Sequence, residues 1–199
     1  MTSAIALLSE AEGWNQTEND WNRLAGDPAN TCLVAEYMHR IVGTATAMNY
    51  ANDVAWIGMV IVDKEFRGRG ISKMILSGLI RELGSCRSVK LDATPAGQPV
   101  YEKFGFKAEY VIYRMTNLCV GNNESEKSDV TPEPLHFRDI PEIALLDRST
   151  FGAERTSLLT SLIKESPGKS WSIRKNGRIT GIVLGRNGKR YNQIGPVSA

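Results

Sequence analysis

Arg67-Gly68-Arg69-Gly70-Ile71-Ser72 is where residue type and spacing point most directly to chemistry. Two glycines let the backbone turn tightly and approach a ligand with no Cβ in the way. Where a helix starts just after such a turn, its first free N–H groups converge and its dipole adds partial positive charge. Arg67 and Arg69 bring full positive charge to the same place. The combination suits a pyrophosphate. A Walker loop, G-x-x-x-x-G-K-[ST], is absent, and the dinucleotide fingerprint needs a third glycine where Lys73 stands. Both nucleotide readings are weak. Taken alone, such a segment is more often an ordinary exposed turn.

The neighbouring elements decide how much weight the loop carries. AWIGMVIVD (55–63) is almost wholly apolar and predicts a strand buried on both faces. After the loop, Ile71, Ile75 and Leu79 form an i,i+4 stripe, widened by Met74, Ile80 and Leu83, which predicts a helix over 70–83 stopped by Gly84. SVKLDA (88–93) predicts a strand, PVYEKFGF (99–106) a short helix ending at Gly105, and AEYVIYRM (108–115) a last alternating strand. Strand, crossover helix and strand make a βαβ unit with a parallel pair at the sheet centre. Upstream, helices are expected at 2–12 and 17–25, the second opened by Thr17 with Asp20 as an imperfect capping box. Strands at 31–37 and 41–49 are joined by a polar turn at His39 and Arg40.

Residues 119–134, CVGNNESEKSDVTPEP, lack apolar periodicity and read as a linker. They divide the chain into 1–118 and 135–199. Beyond them, helices are expected near 141–151 and 154–164, then a hairpin turning at Asn176-Gly177 and a strand in RYNQIGPVSA. This order repeats that of the first half and stops without a closing helix. With 199 residues, 42% hydrophobic and 23% charged, the chain is of ordinary globular composition. Its net charge of +2 is too balanced for a protein held mainly by nucleic-acid phosphates. No apolar run is long enough to span a bilayer, and the start lacks the basic and apolar regions of a signal peptide. Cys32, Cys86 and Cys119 are few and widely spaced, which fits reduced thiols in a cytoplasmic protein. His39 and His136 have no companion ligands for a metal.

Arg67, Gly70 and Ser72 fill the places of the Arg/Gln-x-x-Gly-x-Gly/Ala loop of the GNAT superfamily of N-acetyltransferases, which the sequence resembles over about residues 2–116. PVYEKFGF is similar to the family's Y-E-K-x-G-F, some 30 residues downstream. Ser72 departs from the family's small residue, and Thr94 stands where many members have Asn. GWNQTENDW (13–21) and LDATPAGQPVYEKFGF together resemble a subgroup with a second, divergent GNAT-like half.

The resemblance implies an α/β fold (α+β by some schemes) with a mixed central sheet flanked by helices, plus an incomplete second GNAT-like half. The family's first strand would precede residue 2, which with the stop at Ala199 implies an abbreviated chain. Also implied is an acetyl-CoA-dependent N-acetyltransferase acting on a primary amine. Val60 and Val62 would contact the pantetheine arm, and Thr94 lies at another pantetheine position. Residues Arg67, Gly68, Arg69, Gly70, Ile71 and Ser72 would hold the pyrophosphate, and Tyr101 would protonate the leaving thiolate. An ordinary tyrosine, pKa about 10, can donate to a thiolate whose conjugate acid is near 8.5.

The general base stays open among Asp92, Glu18 and Asp20, and Trp14, Asn15 and Gln16 are the acceptor-contact candidates. Each has a structural alternative: Tyr101 as a packing ring, Asp92 as a cap, Trp14 as core. A competing function is a non-catalytic acyl-CoA-binding sensor or interaction module. Acetyl-CoA and an amine are the expected partners, with no metal, nucleic acid or membrane. Unpaired strand edges in an incomplete half favour homodimerisation.

Overall fold

The computed structural model describes residues 2–117 and 130–199, with residues 2–4 described by their backbone alone. Helices α1 (Thr2–Ala11) and α2 (Glu18–Gly26) lead into strands β1 (Thr31–Tyr37), β2 (Arg40–Tyr50) and β3 (Val54–Val62). A single 3₁₀ turn, Lys64–Phe66, then gives way to α3 (Ile71–Glu82), β4 (Ser88–Leu91) and α4 (Gln98–Glu102). The sheet order is β1-β2-β3-β4. The first two pairs are antiparallel and β3 pairs with β4 in parallel. The expected βαβ unit is present, but its parallel pair lies at the edge of the sheet rather than at its centre, because no strand among the described residues pairs beyond β4.

The apolar stripe of α3 packs on one face of that sheet. Leu76 and Leu79 are fully buried against Val42, Ala45, Ala47, Ala55 and Ile57, each leucine contributing about 1.5–3 kcal/mol of transfer free energy. The helix comes so near β2 that a Cβ at Gly43 would stand 3.0 Å from Ile75 Cδ1 and 3.1 Å from Ile71 Cγ2. On the other face lie α1 and α2, which bury Ile5, Leu8, Trp21 and Leu24 with Ile61. The Thr17–Asp20 capping box of α2 is complete in both directions.

AEYVIYRM departs from expectation. Residues 106–117 form no strand. Tyr110, Val111, Ile112, Tyr113 and Met115 are 57–90% exposed. Alternation selects a register only where one face can be buried, and here neither face is covered. The segment is tied to β4 by the Lys90–Glu109 ion pair at 2.8 Å.

The second half holds β5 (Glu133–Pro134), α5 (Ile140–Phe151), α6 (Thr156–Glu165), β6 (Ser170–Lys175), β7 (Arg178–Arg186) and β8 (Gln193–Ser198), with sheet order β5-β6-β7-β8. Its β6–β7 hairpin turns at Asn176 (φ 54) and Gly177 (φ 77), the two positive φ angles that a two-residue turn of this type requires. Most of the proposed linker lies outside the described residues. Glu133 and Pro134, at its end, pair with Ser172 and Trp171. Cys32 and Cys86 are free thiols, both pushed up in pKa by burial; Cys119 lies outside the described residues. No helix among the described residues is long and apolar enough to cross a membrane.

Asp147 is the buried anchor of the second half. It is 1% exposed, takes two hydrogen bonds from Arg155 at 2.6 and 2.8 Å, and takes a third from Ser198 Oγ at 2.9 Å. Three elements of the half thus meet at one carboxylate. Asp147→Ala leaves the Arg155 guanidinium partly buried and unpaired, so it should destabilise the protein by about 3–5 kcal/mol. A fall in the urea midpoint with unchanged slope would show it.

Candidate active site

β3 does not run straight into the loop. Thr44 pairs with Ile61 and Thr46 with Gly58, so two residues, Met59 and Val60, oppose one on β2. Met59 takes φ 51, a left-handed conformation that a side-chain-bearing residue adopts only where its surroundings enforce it. Two buried threonines do so from below. Thr44 Oγ1 donates to the Met59 carbonyl at 2.7 Å, and Thr46 Oγ1 donates to the Gly58 carbonyl at 3.1 Å. Parallel pairing with β4 reaches only Ile57↔Leu91. Beyond that point the edge of β3 from Gly58 to Val62, including Val60 and Val62, has no partner in β4. The cleft beyond the carboxyl ends of parallel strands is where open α/β sheets place ligands. Gly58 in an otherwise apolar run is the sequence sign of this bulge.

The loop is built from several fixed points. Asp63 caps the 3₁₀ turn by accepting from Glu65 N at 3.0 Å and is paired with Arg40. Phe66 is held between Tyr37, at 5.5 Å, and the Arg69 guanidinium, at 4.9 Å. Gly68 and Gly70 have φ 76 and 77, and Gly70 is the N-cap of α3 with no side chain capping it. A Cβ at either glycine would meet nothing within 4 Å, so the space before the loop is open. Among the described residues the amides of Gly68, Arg69, Gly70, Ile71 and Ser72 have no protein acceptor. Unpartnered amides at the start of a twelve-residue helix, facing open space, fit a pyrophosphate. The arginines are anchored elsewhere. Arg67 binds the Val62 carbonyl at 3.1 Å and pairs with Glu12, while Arg69 donates to the Glu65 carbonyl at 3.1 Å.

Tyr101 lies on α4, half-buried, with its ring edge-on to Phe106 at 6.3 Å. Burial pushes its phenol pKa above the ordinary value. Thr94 Oγ1 accepts from Gly97 N at 3.1 Å and so closes the turn into α4. Asp92 follows β4 and is exposed. It opens onto a cavity of about 930 Å³ between β4 and residues 104–112.

The acceptor candidates sit elsewhere, where the two halves meet. Trp14 packs with Met48 and Met59 around the buried cluster of α1 and α2. Asn15 is 5% exposed and clamps the second half: its Oδ1 accepts from Arg190 N and Tyr191 N at 2.9 and 3.1 Å, and its Nδ2 donates to the Tyr191 carbonyl at 3.0 Å. Gln16 turns toward a cavity of about 450 Å³ that Met59 and Gly58 also line. Asp20 lines the same cavity, held by Arg23 of its own helix and, at 2.7 Å, by Arg186 of β7. Glu18 is exposed on α2. The structure therefore gathers Gln16, Asp20 and the β3 bulge around one cavity, which neither Asp92 nor Tyr101 lines. Sequence reading missed the contributions of Phe151, Arg155 and Arg186, for nothing local links them to α2 or β3.

Residues 3–106 match the sequence model of the acetyltransferase (GNAT) family, more than half of the chain, and residues 143–199 match that of an acetyltransferase (GNAT) domain. The chain belongs to the GNAT family. This GNAT chain is 27% identical over 143 residues to the Bacillus subtilis (strain 168) protein described as the uncharacterized N-acetyltransferase YitH, a match covering 72% of this chain and 50% of the relative. It is 22% identical over 187 residues to the holothin acyltransferase of Pseudoalteromonas sp. (strain SANK 73390), covering 94% of this chain and 62% of that protein. The chain thus spans less than two thirds of either relative's length. Among solved structures, a candidate acetyltransferase from Pyrococcus horikoshii superposes with a TM-score of 0.62 at 20% identity, over 91% of this chain and 66% of that one. The first half has the mixed α/β architecture of this family, and the second half is a further GNAT-like unit with its own sheet. Among the described residues no cluster of His, Cys, Asp and Glu could hold a metal.

The bulge that shapes the site can be tested without a ligand. Thr44→Val keeps the shape and removes the hydroxyl from the part-buried Met59 carbonyl, at a cost of about 1 kcal/mol. A lower melting temperature is expected, and an unchanged one would show that the threonine does not hold the bulge.

Proposed function

We propose that this protein transfers an acetyl group from acetyl-CoA to a primary amine by direct attack on the thioester. The observation that carries the reading is the row of unpartnered amides from Gly68 to Ser72 beside the unpaired edge of β3. Those amides would hold the pyrophosphate, and Val60 and Val62 on the free strand edge would meet the pantetheine arm as an added strand would. Bound there, acetyl-CoA supplies the acetyl group as an activated thioester. Holding amine and thioester together would supply much of the rate.

The chain's own groups then manage protons. Tyr101 Oη is the proposed donor to the departing thiolate. Its pKa is raised by burial, so the phenol stays protonated through neutral pH and beyond the usual value of about 10. Among the described residues Asp20 is the sole carboxylate lining the acceptor cavity, and two guanidiniums hold its oxygens. Asp92 opens onto the other cavity and receives no base role in this reading. The amine accordingly gives its proton to water, and kcat/KM should rise with pH through the acceptor's own pKa.

Release of free thiol from acetyl-CoA against a panel of amines tests the reaction. Tyr101→Phe should lower kcat about 100-fold while acetyl-CoA affinity, measured by calorimetry, stays within about twofold. Gly70→Val, which must adopt a left-handed φ, should instead weaken acetyl-CoA binding at least about tenfold. Binding without thiol release from any amine would favour a non-catalytic acyl-CoA-binding module. Absence of both would remove the reading.

A further inference from the structure

The cavity between the halves carries information about the acceptor. Its walls come from both: Gln16, Arg23, Met48 and Trp56 on one side, Phe151 and Arg155 on the other. Trp56 and Phe151 lie tilted by 33° with ring centroids 5.9 Å apart, and Tyr50 meets Phe151 edge-on at 5.2 Å. At one end lie Gly58 and Met59, directly before the β3 edge assigned to the pantetheine arm.

Two polar atoms there are buried without a hydrogen-bond partner. Gln16 Oε1 is an acceptor lacking a donor, and Arg23 Nη1 is a donor lacking an acceptor. The carboxylate nearest to that nitrogen, Glu165, stands 3.4 Å off without hydrogen-bond geometry. Orphaned buried polar atoms of opposite kind are costly unless a ligand completes them. The three guanidiniums that line the cavity are already matched in charge, Arg186 by Asp20, Arg155 by Asp147 and Arg23 by Asp20 and Glu165, so what remains for a ligand is the unfilled hydrogen bond of Arg23 Nη1. A ligand N–H would satisfy Gln16 Oε1 and a ligand oxygen would satisfy Arg23 Nη1, with an apolar body between.

We propose that this inter-half cavity is the acceptor pocket and that it takes a small amino acid with an aromatic or large apolar side chain, the second half forming one wall. The cavity's volume of about 450 Å³ suits such a ligand and lies in the ordinary range for small-molecule sites. The proposal rests on the transferase reading for its chemistry, since the neutral amine would attack the thioester carbonyl, forming C–N and breaking C–S, while Tyr101 protonates the departing thiolate and regains through water the proton that the nitrogen loses.

Binding is tested apart from turnover, by calorimetry on the full chain without acetyl-CoA, with phenylalanine, phenethylamine and 3-phenylpropionate as probes. Phenylalanine should bind at least about tenfold more tightly than either analogue, one lacking the carboxylate and the other the amine. Arg23→Gln should erase its advantage over phenethylamine. Leu158→Trp, which fills the cavity from α6, should abolish phenylalanine binding while acetyl-CoA affinity stays unchanged and reports an intact first half. Equal binding of phenylalanine and phenethylamine, no binding of phenylalanine, or binding that survives Leu158→Trp would each overturn the assignment. Selective phenylalanine binding without acetyl-CoA binding would uphold the pocket and overturn the transferase reading instead.

Discussion

The separation of two parallel strands underlies the architecture of this site. β3 and β4 are paired through Ile57 and Leu91 and no further, because an extra residue at the Met59–Val60 bulge turns β3 out of register with its other neighbour. A straight β3 would continue the ladder and close the cleft. The deviation is held from the β2 side by two buried threonine hydroxyls, on the Met59 and Gly58 carbonyls. Backbone groups freed by the bulge and amides freed at the start of α3 then lie on one continuous path, strand edge first and helix mouth next. The cavity between the halves is lined by Gly58 and Met59 and so touches the start of that path.

Much of the first half could be read from local patterns. The apolar run that became β3, the i,i+4 stripe of α3 and the Thr17–Asp20 capping box each act over a few residues, and each forms as expected. The glycine loop was legible because positive φ at Gly68 and Gly70 is a property of glycine itself. AEYVIYRM misled for the complementary reason. Alternation records which face a strand would bury, and it carries no information about whether a neighbouring strand offers backbone partners. Asn15 illustrates the same limit. As an amide in a polar loop it read as a ligand contact, yet its side chain is tied to the backbone of residues 190 and 191, some 175 positions away.

The second half gains a physical role from these contacts. It carries a GNAT-like hairpin and helices, and its loops and strands reach back to the first half. Arg186 binds Asp20, Phe151 meets Tyr50 and Trp56, and the 189–191 segment is held by Asn15. Asp20 is central here, for it caps α2, pairs with Arg23 and accepts from β7. A carboxylate that accepts four hydrogen bonds, from Thr17 (two), Arg23 and Arg186, ties the two halves together.

The central claim is that the helix mouth near residue 70 grips the diphosphate of a thioester carrier, and amide NMR reads those nitrogens directly. On titration with coenzyme A, the backbone N–H signals of Gly68, Gly70, Ile71 and Ser72 should move together, saturably and further than any others in the first half. If the ligand binds while those four signals stay in place and the movement falls elsewhere, the phosphate cradle is not where this account puts it.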